Sequence, residues 1–197
     1  MKKLCFMILA LVGCAAELQT SENLGPPPEP EEILEPVGVI PADDCQHVDI
    51  GDKACNFRLL DQNGDVFDLY KHDGKVIVVV ISAMWCGPCQ AAGSKAQQTQ
   101  EDYEDQGFIM VTVLIDGYSP GVEPTEQELQ EWVTNHNATT SPVLLGSRDK
   151  MLDTLAIDGY SITGFPSFYY IDRDLKFYDG HSGYSEEYVR QIIEREL

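Results

Sequence analysis

The chain reads as one α/β domain in which strands and helices alternate, and three observations carry that class. Val76 to Ile81 is an unbroken run of six β-branched residues after Gly74-Lys75, which reads as a buried strand. Phe108 to Ile115 is a second apolar run, and a stretch able to be helical, Cys86 to about Asp105, lies between the two. Thr125-Glu126-Gln127-Glu128 has capping-box spacing and opens a further helix to about His136.

The first segment is a leader. Met1-Lys2-Lys3 is basic and Leu4 to Val12 is apolar, a signal-peptide pattern too short to span a bilayer. Leu11-Val12-Gly13-Cys14 resembles the lipobox of bacterial lipoproteins. That resemblance implies cleavage of residues 1–13 and lipidation of Cys14, against the alternative of an ordinary secretory signal cleaved near Ala16. Two or three acyl chains anchor firmly where one is marginal. Ala15 behind the lipidated position favours the outer membrane over the inner, so the expected address is the periplasmic side of the cell envelope.

Residues 14–44 read as a lipidated cysteine followed by an acidic, proline-rich tether. Pro26, Pro27, Pro28, Pro30, Pro36 and Pro41 fall there, and residues 15–44 hold no Lys or Arg. Such a segment packs no core. In polyproline form, at ~3.1 Å per residue, it spans on the order of 90 Å.

The domain proper is expected over 45–197, enough chain for one ordinary core. Phe57 to Leu60 and Val66 to Leu69 flank Asp61-Gln62-Asn63-Gly64-Asp65 as a hairpin. Pro142 to Leu145 reads as a short strand and Arg148 to Ile157 as helical. Ser167 to Ile171 and Leu175 to Tyr178 form a second hairpin across Asp172-Arg173-Asp174. Ser185 caps a last helix ending near Glu196.

The net charge of −20 argues against nucleic acid or an acidic membrane surface as partner. Of the six cysteines, Cys5 is expected to leave with the leader and, by the lipobox resemblance, Cys14 to carry lipid. Cys45, Cys55, Cys86 and Cys89 remain, and sequence alone allows three pairings. We expect Cys86–Cys89 as a redox pair and Cys45–Cys55 as a structural staple. An oxidising compartment permits the second bond, and two unpaired thiols are the alternative.

Trp85-Cys86-Gly87-Pro88-Cys89 stands where a strand hands over to a helix. A thiolate at a helix N-terminus is stabilised by free backbone N–H groups and the helix dipole. Cys86 is then the exposed attacking sulfur, and Cys89 lies almost one turn on, in reach to resolve a mixed disulfide. Gly87 allows the tight turn, and Pro88 fits an early helix position where its missing N–H costs nothing. A zinc site needs two more ligands at comparable spacing, and no metal or other cofactor is expected. His47, His72, His136 and His181 are isolated and read as surface residues.

With Gly164-Phe165-Pro166 before the apolar strand Ser167 to Ile171, the motif resembles the thioredoxin fold, more closely its TlpA/ResA-like redoxin branch. The resemblance covers essentially the whole domain. It implies a three-layer sandwich with a central mixed β-sheet and an N-terminal β-hairpin. It also implies a cis Pro166 facing the cysteines, and Trp85 and Phe165 flanking them. Trp85, Gly87, Pro88, Phe165 and Pro166 would then line the substrate contact, with residue 165 offering main-chain groups to an extended client.

Three positions depart from that pattern. Val80 stands where thioredoxins carry a buried Asp, Ala92 where some ResA-like proteins carry a Glu, and Ser94 where a helix proline is common. Cys89 is left to water, Glu101 or a His as proton acceptor. The function implied is thiol–disulfide exchange, leaning to reduction of protein disulfides. The client is a protein disulfide or dithiol, and the electron donor a membrane or periplasmic protein. A peroxiredoxin-like antioxidant needs a Pro-x-x-x-Thr stretch before its cysteine, which is absent. A non-catalytic client-binding protein is the other rival.

Overall fold

In the computed structural model, residues 38–39, 49–151 and 159–197 are described. The expected leader, Cys14, most of the tether, Cys45 and His47 lie outside them. Strand β1, Gly38–Val39, pairs antiparallel with β2, Phe57–Asp61, and β2 pairs antiparallel with β3, Val66–Asp68. The sheet therefore recruits two residues from the segment read as tether. The β2–β3 turn closes because Asp61 Oδ1 accepts the N–H groups of Asn63 and Asp65, with Gly64 at φ +84°.

The central strands are β4, Val76–Ala83, and β5, Phe108–Asp116, and every residue of both is buried. They pair in parallel, joined by helix α1, Gly87–Tyr103. A short 3₁₀ turn and Gly107 at φ +78° end that connection. Helix α2, Glu126–His136, begins with the predicted capping box: Thr125 Oγ1 accepts the Glu128 N–H, and the Glu128 carboxylate accepts the Thr125 N–H.

Strand β6, Val143–Leu145, pairs in parallel with β5 and antiparallel with β2. Helix α3 is described over Arg148–Met151, and its expected remainder lies outside the described residues. Strand β7, Ser167–Ile171, pairs antiparallel with β4 and with β8, Phe177–Ser182. Strand β8 starts later and runs further than Leu175–Tyr178. Asp172 Oδ1 accepts from the N–H groups of Asp174 and Lys176, and Leu175 is left-handed at φ +60°, so the turn extends to 176. Helix α4, Glu186–Ile193, is capped by Ser185 and stops short of the expected Glu196.

The sheet is thus mixed, in the order β1-β2-β6-β5-β4-β7-β8 with β3 on β2. One face packs Val76, Val78 and Val80 against Ala92 and Ala96 of α1 and Val189, Ile192 and Ile193 of α4. The other packs Ile77, Val79 and Ile81 against Phe57, Leu59, Phe67, Met151 and Tyr160. The alternation of β4 side chains between the two faces is the period of two that a strand imposes. Gln97 of α1 braces the approach to β6. Its Oε1 accepts the N–H groups of Thr139, Thr140 and Ser141 at 2.8, 3.0 and 3.1 Å.

The histidines depart from the surface reading. His72 stacks on Phe67, His136 lies edge-on to Trp132, and His181 stacks on Phe168 with a centroid distance of 4.8 Å. Each is about half-buried, and burial lowers all three from the ordinary histidine value. A neutral imidazole is an aromatic ring, and it is the ring that packs.

Candidate active site

The C-terminal end of β4 delivers the cysteine motif to the N-terminus of α1. Cys86 is the N-cap residue, and its Sγ accepts the Cys89 N–H at 3.1 Å. Cys86 and Cys89 are joined as a disulfide with Cα atoms 5.2 Å apart. Cys86 departs from the exposed sulfur expected of it: in this oxidised state both cysteines are enclosed. Cys86 is 3% exposed and Cys89 0%, while Gly87 and Pro88 are exposed in front of them. The enclosure has a visible cause: both cysteines pack with Met84, Leu114, Leu129, Trp132 and Phe165.

The peptide bond between Phe165 and Pro166 is cis, and Phe165 reaches the cluster that holds the cysteines. Trp85 is 40% exposed and meets Phe165 edge to face at 5.4 Å. The structure therefore brings Trp85, Cys86, Gly87, Pro88, Cys89, Phe165 and Pro166 together. Cys55 is buried elsewhere, in the core on the hairpin side of the sheet. Its expected bond to Cys45 lies outside the described residues.

The departures at positions 80 and 92 form one feature. Val80 and Ala92 pack in the same apolar cluster beneath α1, so no carboxylate approaches Cys89 from there. Glu101 does not replace one. It stands twelve residues beyond Cys89 on α1, about 18 Å along the axis, and its carboxylate is held by Gln97. His136 is nearer: its Nε2 is 2.8 Å from Gln90 Oε1, and Gln90 Nε2 donates to the Met84 carbonyl.

Sequence reasoning missed Asp116 and Arg148. Asp116 ends β5 beside the motif and is fully buried. Its carboxylate accepts the Trp85 indole N–H at 3.0 Å and a two-pronged contact from Arg148, Nε at 2.7 Å and Nη2 at 2.6 Å. Burial pushes the Asp116 carboxyl up, but hydrogen bonds from Arg148, the Gly121 N–H and Trp85, with the Arg148 charge, hold it below the ordinary carboxylate value. Arg148 also lies over the Phe165 ring at 5.9 Å. One signal was readable: a lone Asp closing an eight-residue apolar run, at the strand end where α/β sites assemble.

Comparison with known proteins agrees with this geometry. The ResA thiol-disulfide oxidoreductase of Halalkalibacterium halodurans is 26% identical over 145 residues, 73% of this chain and 75% of that protein. The thioredoxin-like protein YneN of Bacillus subtilis is 23% identical over 133 residues, 68% of this chain and 71% of that one. A Chlorobium tepidum crystal structure assigned to the thiol:disulfide interchange protein DsbE superposes with a TM-score of 0.61. It is 27% identical, over 75% of this chain and 97% of its own. The sequence model of the AhpC/TSA family matches residues 50–177, well over half the chain, and the protein belongs to that family.

Proposed function

We propose that the protein reduces disulfides in client proteins outside the cytoplasm, using Cys86 and Cys89. It is a thiol-disulfide oxidoreductase of thioredoxin type. One observation carries the reading most directly: Cys86 Sγ caps α1 and accepts the Cys89 N–H. A group already accepting a helix N-terminal N–H gains most when it becomes an anion.

In the reducing direction, the Cys86 thiolate attacks one sulfur of the client disulfide. A Cys86–client bond forms, the client S–S bond breaks, and the departing client thiolate takes up a proton. Cys89, deprotonated, then attacks Cys86. The Cys86–Cys89 bond forms and the second client thiolate leaves, so two electrons pass from the dithiol to the client. A protein donor outside the cytoplasm returns two electrons to the disulfide. Trp85 and Phe165 supply the apolar rim against which an extended client lies, with the main chain at Phe165-Pro166 as its hydrogen-bonding edge. Cys14, once lipidated, tethers the domain to the membrane surface, the outer membrane by the residue behind it.

A peroxidase reading is disfavoured by the chain before Cys86. Val76–Ala83 is a fully buried strand, with no Pro-x-x-x-Thr loop to prepare a peroxidatic cysteine.

Equilibration of the domain with glutathione or dithiothreitol tests the reading. A reversible two-electron couple near the thioredoxin value of about −270 mV supports a reductase, and one near the DsbA value of about −120 mV makes it an oxidant. Cys86→Ser removes turnover, whereas Cys89→Ser keeps the first attack and accumulates a mixed disulfide with client or insulin. Full insulin reduction by the Cys86→Ser variant would leave only a client-binding role. Labelled palmitate entering the wild type but not Cys14→Ser tests the anchor.

A further inference from the structure

We propose that the Asp116–Arg148 ion pair tunes the dithiol. It balances a buried negative charge beside Cys86 and thereby sets the thiolate fraction and redox equilibrium of the pair. The proposal rests on the reading of Cys86 and Cys89 as the redox centre.

The geometry starts from the ladder between the central strands. Asp116 is the register partner of Ala83, and its carbonyl accepts the Met84 N–H at 3.0 Å. The Ala83 carbonyl in turn accepts the Cys86 N–H at 3.2 Å. One ladder step and one tight turn separate the Asp116 backbone from Cys86, a distance on the order of 10 Å. The space between is filled by side chains. Trp85 and Arg148 both bond the carboxylate, sharing its Oδ2, and Phe165 touches Trp85, Arg148 and the cysteine cluster.

Burial decides which charge matters. The Asp116 side chain is 1% exposed and the Arg148 side chain 44%. The first turn of α1 carries no acidic residue, and residues 161–165 carry no charge. Glu128 and Glu131 approach from α2, where they hold Tyr118, but those contacts are exposed and screened by water and salt. His136 reaches the motif through Gln90 and Trp132, and burial lowers its value from the ordinary histidine one, which favours the uncharged ring. Among the described residues, the buried carboxylate is therefore the strong fixed charge next to the dithiol, and Arg148 balances it.

Opposite signs follow for the two halves. Asp116→Asn removes the negative charge and leaves Arg148, so the Cys86 thiolate is favoured and its pKa falls. Arg148→Gln leaves the carboxylate uncompensated, so the Cys86 pKa rises. At ~10 Å and an effective dielectric of about 20, one unit charge moves a pKa by roughly one unit, and the half-exposed arginine trims this to about half a unit. The dithiol equilibrium with glutathione moves about threefold or more, toward oxidant in Asp116→Asn and toward reductant in Arg148→Gln.

The test is the pH dependence of alkylation of reduced Cys86 by neutral iodoacetamide, with the glutathione equilibrium measured in parallel. Wild type, both single variants, the Asp116→Asn/Arg148→Gln double variant and Arg148→Lys are compared. Opposite shifts, a double variant back near wild type, and an Arg148→Lys variant close to wild type are expected. Shifts of one sign in both single variants, or a double variant worse than either, mean structural damage and overturn the proposal; so does the absence of any shift. If Asp116→Asn does not fold, a glutamine-specific shift at 148 that lysine does not reproduce supports the proposal, and equal values for the two refute it. A wild type lacking a reversible couple fails the redox reading instead, a separate outcome.

Discussion

Gly93 brings the cysteine-bearing helix into close contact with α2, so Gly93→Ala is a sharp probe of how the site is held. A β-carbon built there lies 2.6 Å from Trp132 Cζ2 and 2.9 Å from His136 Cδ2. Helix propensity alone favours the substitution by about 1 kcal/mol. Packing opposes it. Trp132 is 1% exposed in the cluster that holds both cysteines, and His136 is fastened to Gln90 at 2.8 Å, so neither ring has a free end to swing away. Overpacking of such a contact costs about 1–3 kcal/mol. The net is a loss of about 1 kcal/mol, read as a urea midpoint about 0.5 M lower for the oxidised domain. Trp132→Phe removes the nearer ring atom, so the same substitution costs less in that background. A Gly93→Ala midpoint equal to or above wild type would refute the packing argument.

Three other outcomes are expected. Gln97→Leu strips the acceptor from three backbone N–H groups, of which Ser141 is buried. A loss of roughly 2–3 kcal/mol in chemical unfolding follows, and one under 0.5 kcal/mol would mean water replaces the amide. Both ring nitrogens of His181 are buried without a partner, while its ring stacks on Phe168 and meets Tyr188 edge-on. His181→Phe keeps the stack and should raise stability at pH 7 by about 1 kcal/mol; a less stable variant sinks that account. The folded-state values of His72, His136 and His181 are lowered from 6.5, so their unfolded forms bind protons first. Their contribution is full above pH 6.5 and lost as pH falls below it toward the folded values. The urea midpoint should therefore drop between pH 7 and 5, less steeply in His181→Phe, and a flat wild-type profile would exclude the mechanism.

What the sequence determined is what local chemistry encodes. Val76–Ile81 has no fate but a buried strand, Thr125 and Glu128 cap their helix reciprocally, and the cysteine motif names both its position and its chemistry. Pro166 was legible too, because the residues around it carried a family pattern. The rest waited on side chains coming into place, some near in the chain and some far. The hairpin at 172–176 runs longer than its residues suggested, because the Asp172 side chain accepts the N–H groups of both Asp174 and Lys176. His72, His136 and His181 turned inward because each met an aromatic ring: Phe67 and Trp132 a few residues away, and Phe168 across the strand pair. Asp116 and Arg148 lie 32 residues apart, and nothing local in either one announces the other. A charge pair at a site is a property of the ladder and the packing, since it takes a folded sheet to bring a strand-end carboxylate, an indole and a guanidinium to the same few ångströms.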